Sequence, residues 1–208
     1  MNLEKITNIY NEKKERLGSD IAGHLPFLYQ ITKATKPEVI IQAGIRDGNS
    51  DSAFAKAALE LGATLVDIDM NDVQDGVIKD IRQQEDNWHF HLGRTDKQEI
   101  VDAVQQYRGK VGIFFTDTSH NYSDTKFELD TYSKLLSPEG IILIHDMDPW
   151  NQYPEQTRAV EDFLEKNTKW KYKVQKGNNG MATLYRLKKH LCNVKCDVDL
   201  GIGTHTVA

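Results

Sequence analysis

Two short segments carry most of the side chains able to do chemistry. One reads Phe115-Thr116-Asp117-Thr118-Ser119-His120-Asn121-Tyr122, the other Ile144-His145-Asp146-Met147-Asp148-Pro149-Trp150. Each follows an apolar run of strand character, so two histidines and three aspartates are expected at neighbouring strand ends. An ordinary imidazole titrates near ~6.5 and can accept a proton at neutral pH. His120 and His145, beside Asp117, are therefore candidates for acid–base work. A lone histidine is more often structural, but polar groups converging on one cleft from separate segments point to function.

Earlier in the chain stands the turn Gly44-Ile45-Arg46-Asp47-Gly48-Asn49-Ser50. Gly44 and Gly48 would let the backbone bend sharply and approach a ligand, and the following helix offers free N–H groups. The spacing is G-x-x-x-G, not the G-x-G-x-x-G of nicotinamide binders. A plain strand–helix turn would use similar residues. Some 20 residues on, Val66-Asp67-Ile68-Asp69 ends a second strand with carboxylates placed to accept hydrogen bonds from both hydroxyls of a ribose. After the third strand, Thr95 and Asp96 either flank a nucleobase or cap the next helix.

The elements that must position these groups alternate. Apolar spacing predicts strands at Val39–Gly44, Ala63–Asp69, Trp88–Gly93, Val111–Asp117 and Ile141–Asp146. Helices fall between them: Ala53–Leu61 closed by Gly62, one around Val77–Ile81, one over Ile100–Tyr107, and Ser123–Leu136 stopping before Pro138. Pro154 opens a further helix through Asn167. Tyr172–Lys176 and Ala182–Leu187 then form a hairpin around Gly177-Asn178-Asn179-Gly180. Two helical patterns lead the chain, Leu3–Tyr10 and Ser19–Ala34, the second interrupted by Pro26. Five strand–helix units and a hairpin predict an α/β doubly wound, mostly parallel sheet whose hairpin adds an antiparallel strand. Ligands bind such sheets at the carboxyl ends of the strands, where the groups above fall.

With 208 residues, the chain fits one domain. Twenty-six basic against 31 acidic residues leave a net charge of −5, which gives no electrostatic footprint for a nucleic-acid partner. The longest wholly apolar run is Ile141–Ile144, far below the ~20 residues of a membrane helix. The first residues have no apolar signal region. Cys192 and Cys196 make no disulfide framework, so a cytoplasmic location is expected. The tail, 188–208, has weak periodicity and is expected to be loosely ordered.

Val39–Ser50, Leu65–Asp69 and above all Phe114–Asp146 resemble the class I S-adenosylmethionine-dependent methyltransferases. Within that superfamily they are similar to small O-methyltransferases related to the macrocin and cephalosporin-pathway enzymes and, more distantly, to catechol O-methyltransferases. The most specific stretch is a strand-end Asp with nearby His and Tyr, an Asp in the next helix, Leu-x-Pro-x-Gly, then an apolar strand ending His-Asp. The likeness covers residues 37–187, leaving 1–36 as an N-terminal helical cap. It implies a Rossmann-like sheet of seven strands with the last antiparallel. It also implies O-methylation of a small hydroxylated molecule, a sugar or secondary metabolite. Gly44, Gly48 and Ser50 would surround the amino-acid end of S-adenosylmethionine. Asp67, in preference to Asp69, would hold the ribose, with Thr95 and Asp96 near adenine. Asp117 and Asp146 would face the substrate, and Asp117 would also touch the cofactor. Asp117 and Asp146 would hold a divalent ion such as Mg2+, with Asp148 a candidate third ligand. Gln42 and Met147 depart from the family pattern, Gln42 where an acid is usual and Met147 where an oxygen ligand is usual.

The competing expectations are a non-catalytic module that kept the fold, which Gln42 and Met147 favour, and a nicotinamide oxidoreductase, which the glycine spacing disfavours. The Leu3–Tyr10 helix is expected either to cap the substrate or to enter a homodimer seam. Tyr122 is expected to pack, Trp150 and Tyr153 to cover the site, and His89 and His91 to be scaffold.

Overall fold

The computed structural model describes residues 2–148 and 153–186. Leu187, the tail with its two cysteines, and Trp150 lie outside the described residues. Seven strands form one sheet in the order β3-β2-β1-β4-β5-β7-β6: β1 Val39–Ala43, β2 Thr64–Asp69, β3 Trp88–Leu92, β4 Val111–Thr116, β5 Leu136–His145, β6 Trp170–Gln175 and β7 Met181–Arg186. All neighbours pair in parallel except β7, which runs antiparallel to both β5 and β6. The expected Rossmann-like, seven-stranded sheet with an antiparallel last strand is what the chain forms. Its helices are α1 Asn2–Lys14, α2 Leu25–Thr35, α3 Asn49–Leu61, α4 Gly76–Arg82, α5 Gln98–Val104, α6 Tyr122–Tyr132 and α7 Pro154–Lys166. None of the described helices is long and apolar enough to cross a membrane.

Successive strand residues point to opposite faces, and both faces of this sheet are buried. Ile40, Leu65, Ile113, Phe115 and Leu143 pack with Ile6 and Tyr10 of α1, Leu25 and Leu28 of α2, and Phe54 of α3. The alternate residues Ile41, Val66, Phe114 and Ile142 pack with Val104 of α5, Leu129 and Tyr132 of α6, and Phe163 of α7. This explains why the central strands read as short continuous apolar runs rather than as alternating ones.

Several boundaries differ from the sequence expectation, two of them for a plain physical reason. Pro26 does not interrupt a helix but sits in the first turn of α2, where its missing N–H costs nothing. A 3-10 turn, Ala22–His24, precedes it. Helix α6 ends at Tyr132, not at Leu136, because Leu136 already pairs with Val111. The next pairing is Ile113 with Ile141, so residues 137–140 bulge out between the two. That bulge accommodates Pro138, which has no N–H to give a ladder.

Candidate active site

The strand ends that expose the site are shaped by backbone strain. Arg46 after β1, His120 after β4 and Asp146 after β5 all have positive φ, 48°, 58° and 60°. Non-glycine residues rarely adopt such angles, and they cluster where function over-determines the backbone. Gly44 has φ +84°, and a Cβ there would stand 2.1 Å from the carbonyl oxygen of Asp117. Glycine is thus required for β1 and β4 to end side by side.

A cleft of about 220 Å3 opens at this edge, lined by Gly44, Asp69, Gly93, Thr95, Asp117 and Glu128 among others. Asp69 is the last residue of β2. Its Oδ2 accepts from the N–H groups of Ile45 (2.7 Å) and Arg46 (3.2 Å), and its Oδ1 from Asn71 N–H (2.9 Å). The carboxylate therefore anchors the glycine turn while facing the cleft.

Asp67, the preferred ribose ligand from the sequence, does not reach the cleft. It has no exposed surface. It pairs mid-sheet with Gln42 and Phe90. Its Oδ1 accepts from Gln42 Nε2 at 3.0 Å and its Oδ2 from Trp88 Nε1 at 2.5 Å. The same Gln42 amide donates to Asp51, in the first turn of α3. Gln42 thus bridges two carboxylates inside the protein instead of facing a ligand. Burial pushes the Asp67 carboxyl up to about 6, against the lowering pull of Trp88 and Gln42. Burial and the neighbouring Asp67 raise Asp51 as well.

Of the other expected cofactor residues, Thr95 lines the cleft and Asp96 does not; Asp96 pairs outward with Arg94. Gly48 and Ser50 do not line it either. Gly48 starts α3 at φ +73°, packed under Val73 and Ile78, and Ser50 is buried. The cleft floor includes two acids of α6 not singled out from the sequence. Glu128 accepts hydroxyl hydrogen bonds from Thr95 (2.8 Å), Thr116 (2.6 Å) and Thr118 (3.0 Å). Asp124 accepts from Arg94 at 2.9 Å and Ser119 at 2.6 Å. Their i, i+4 spacing, which puts both on one helix face, was the available signal.

Next to the cleft the strand-end acids and imidazoles come together as expected. His120 Nε2 lies 2.8 Å from Asp146 Oδ2 and 3.4 Å from Asp117 Oδ1. His145 Nδ1 lies 3.3 Å from Asp146 Oδ2 and 3.5 Å from Asp117 Oδ2. His120 is partly exposed and stacks on Tyr153, with ring centroids 4.1 Å apart. His145 is fully buried, and its Nε2 is 3.2 Å from the carbonyl oxygen of Asn178 in the β6–β7 turn. Burial alone would lower both imidazoles, but Asp117 and Asp146 hold His120 up at about 9 and His145 at about 10. Beside these two acids both imidazoles favour the protonated form more than an isolated ring would. Burial would raise Asp117 and Asp146, but the two imidazoles hold both below the usual carboxylate range.

Asp148 is not part of this cluster. Its Oδ2 accepts from Gly177 N–H at 3.2 Å, and its own N–H donates to Asn179 O at 2.8 Å, so it fastens the hairpin turn to the end of β5. Met147 is buried in the core. Tyr122 bonds Asp162 on α7 through its hydroxyl at 2.5 Å, the packing role expected of it. His89 is exposed on the edge strand β3.

The fold is similar to that of the O-methyltransferase of Bacillus cereus in complex with SAH, with a TM-score of 0.61 and 14% identity over 89% of this chain and 90% of that one. It is also similar to TomG of Streptomyces achromogenes, an O-methyltransferase of tomaymycin synthesis in complex with SAM (0.62, 16%, 90% of each chain). A third such structure is CalS11, a TDP-rhamnose 3'-O-methyltransferase of calicheamicin biosynthesis (0.63, 14%, 88% of this chain and 92% of that one). No curated protein matches the sequence. The match to a family profile, described as a methyltransferase domain, takes in residues 41–147, the whole span from the glycine turn to the last strand-end acid; as this is more than half of the chain, the protein belongs to that family.

Proposed function

We propose that this methyltransferase moves the methyl group of S-adenosylmethionine to a hydroxyl of a small molecule, aided by a divalent cation at the ends of β4 and β5. The observation that carries the reading is the double membership of Asp117. It lines the cleft beside Asp69 and Thr95, and it belongs to the group of Asp117, His120 and Asp146 whose ligand atoms lie within 4.8 Å of one another. A donor cleft and an acid–imidazole cluster therefore share one wall. The SAM- and SAH-bound relatives support the donor, and the TDP-rhamnose enzyme supports a hydroxylated acceptor.

In this reading Asp69 holds the ribose hydroxyls. Each carboxylate oxygen has a second lone pair to offer beyond those used by the turn N–H groups. Gly44 presents bare backbone to the donor, and Thr95 borders the adenine end. Methyl transfer from a sulfonium is an in-line displacement, so positioning the hydroxyl oxygen ~3–3.5 Å from the methyl carbon does most of the work.

The cluster fits a cation on its own chemistry. Two carboxylates converge beside the His120 and His145 rings. His145 Nδ1 is shielded from solvent and makes no hydrogen bond. With an ion bound, the His145 ring would be neutral, its Nε2–H directed at Asn178 O and its Nδ1 lone pair turned to the ion, the arrangement by which a carbonyl orients a metal-binding histidine. Asp117, Asp146 and His145 would hold the ion, and it would supply Lewis-acid polarisation of the acceptor hydroxyl. A mixed oxygen and imidazole set suits Mn2+ better than the Mg2+ expected from the sequence. In its neutral form His120 would receive the hydroxyl proton at Nε2, the nitrogen that faces Asp146 and Asp117. Tyr153 stacks against its ring and fixes its plane.

The test is calorimetry with S-adenosylhomocysteine, followed by methyl transfer from labelled S-adenosylmethionine to a panel of nucleotide sugars and catechols. Asp69→Ala should weaken S-adenosylhomocysteine about 10- to 100-fold, the loss of charge-assisted hydrogen bonds worth about 1.5–3 kcal/mol. Asp67→Asn should leave it within about threefold. The reverse ranking, or no binding to the wild-type chain, would overturn the reading.

A further inference from the structure

Between α1 and α2 the chain brings one acid up to the acid–imidazole cluster. A carboxylate oxygen of Asp20, a ring nitrogen of His145 and a carboxylate oxygen of Asp146 lie within 4.8 Å of one another. We propose that Asp20 is a further ligand of the cation held by Asp117, Asp146 and His145, so that the ion ties the N-terminal segment to the ends of β4 and β5. This rests on the cation reading above.

Three observations support it. First, the spacing is that of ligands around one ion: at ~2.0–2.6 Å per ligand bond, groups on opposite sides of an ion stand about 4–5 Å apart. Second, the buried His145 Nδ1 makes no hydrogen bond and faces Asp146 and Asp117, 3.3 and 3.5 Å away. Third, Asp20 is held in place although exposed. Its Oδ1 accepts from Ile21 N–H at 2.9 Å, and its Oδ2 from Asn179 Nδ2 at 3.1 Å. The surrounding segment is clamped to the same hairpin turn. His24 Nε2 lies 3.1 Å from Gly177 O and 3.0 Å from Asn178 O. Gly23 sits so close that a Cβ would be 2.1 Å from Asn178 Nδ2. Asp148 in turn fastens this turn to β5. The acid thus arrives from more than 90 residues away in sequence, on a segment whose placement the fold enforces.

Asp20 adds a second carboxylate beside Asp146 and His145, and carboxylates brought together favour a cation between them. An ion bound by Asp20 as well as the strand-end groups would be held more tightly, and would rigidify the loop after α1. That loop contains Arg16 and the fully exposed Leu17, a bond open to trypsin.

The experiment is a Mn2+ titration of the full chain, followed by the loss of the free-ion electron paramagnetic resonance signal. Wild type, Asp20→Asn and Asp117→Asn are compared, with folding checked by circular dichroism, and tryptic cleavage after Arg16 is timed with and without Mn2+. Wild type should bind Mn2+, Asp20→Asn should bind it at least tenfold more weakly, and Mn2+ should slow cleavage in wild type but not in Asp20→Asn. If Asp20→Asn binds Mn2+ like wild type while Asp117→Asn does not, Asp20 is no ligand and the cation reading stands. If wild type binds no Mn2+, or Asp117→Asn binds it unchanged, both fall.

Discussion

Replacing Gly44 by alanine tests whether the close approach of β1 and β4 builds the site. The new Cβ would sit 2.1 Å from the Asp117 oxygen and 2.7 Å from its carbonyl carbon, both backbone atoms. Ordinary carbon contacts need ~3.5 Å, so the strand ends must part by more than an ångström. The bond from Asp117 N–H to Ala43 O, 2.9 Å long, lies in the path of that movement. A left-handed alanine costs about 1–2 kcal/mol, and losing the bond about 1 kcal/mol more. The total of about 3 kcal/mol corresponds to a fall in Tm of about 6–12 °C for a chain of this size. Gly62 is the control. It has φ +69° at the end of α3, and nothing lies within 4 Å of its added Cβ. Gly62→Ala should therefore show the left-handed cost alone, about 4 °C. Scanning calorimetry measures both, and S-adenosylhomocysteine affinity well below Tm reports on the displaced Asp117. If the two variants melt within 2 °C of each other and bind equally, the strand-end contact does not organise the site.

His120→Gln should lower the methyl-transfer rate about 100-fold or more, the usual worth of a positioned base, with S-adenosylhomocysteine affinity unchanged; equal turnover would remove His120 from proton transfer. The buried Asp51–Asp67 pair makes stability fall as pH rises. Because burial raises the folded-state pKa, to about 6 for Asp67, the folded chain binds more protons than the unfolded one between ~4 and that value. The contribution is complete below the unfolded pKa and is lost as pH climbs through about 6. Urea unfolding from pH 4 to pH 7 should show this decline in wild type and a flatter profile in Asp51→Asn. An unchanged slope in the variant would mean that the pair carries no such proton.

Much of this protein is legible in its amino-acid order. Buried parallel strands appear as short apolar runs between turn residues, and the order strand, glycine turn, helix, acid-ended strand repeats the geometry of an α/β sheet. The convergence of Asp117, His120, His145 and Asp146 follows from β4 and β5 being neighbours, which strict strand–helix alternation implies. Three things were decided only by tertiary structure. Asp67 and Asp69 point to the same side of β2, and what separates buried bridge from cleft wall is two residues of rise, about 6.6 Å. No sequence pattern locates a strand's end against its neighbours that finely. The imidazoles titrate far from their usual range because Asp117 and Asp146 are brought to them across a strand boundary. Asp20 and Glu128 reach the site from elements whose local sequence speaks only of a loop and a helix. Local sequence dictates periodicity and turns, because those depend on near neighbours along the chain. Depth, charge and contact depend on what the fold packs against each side chain.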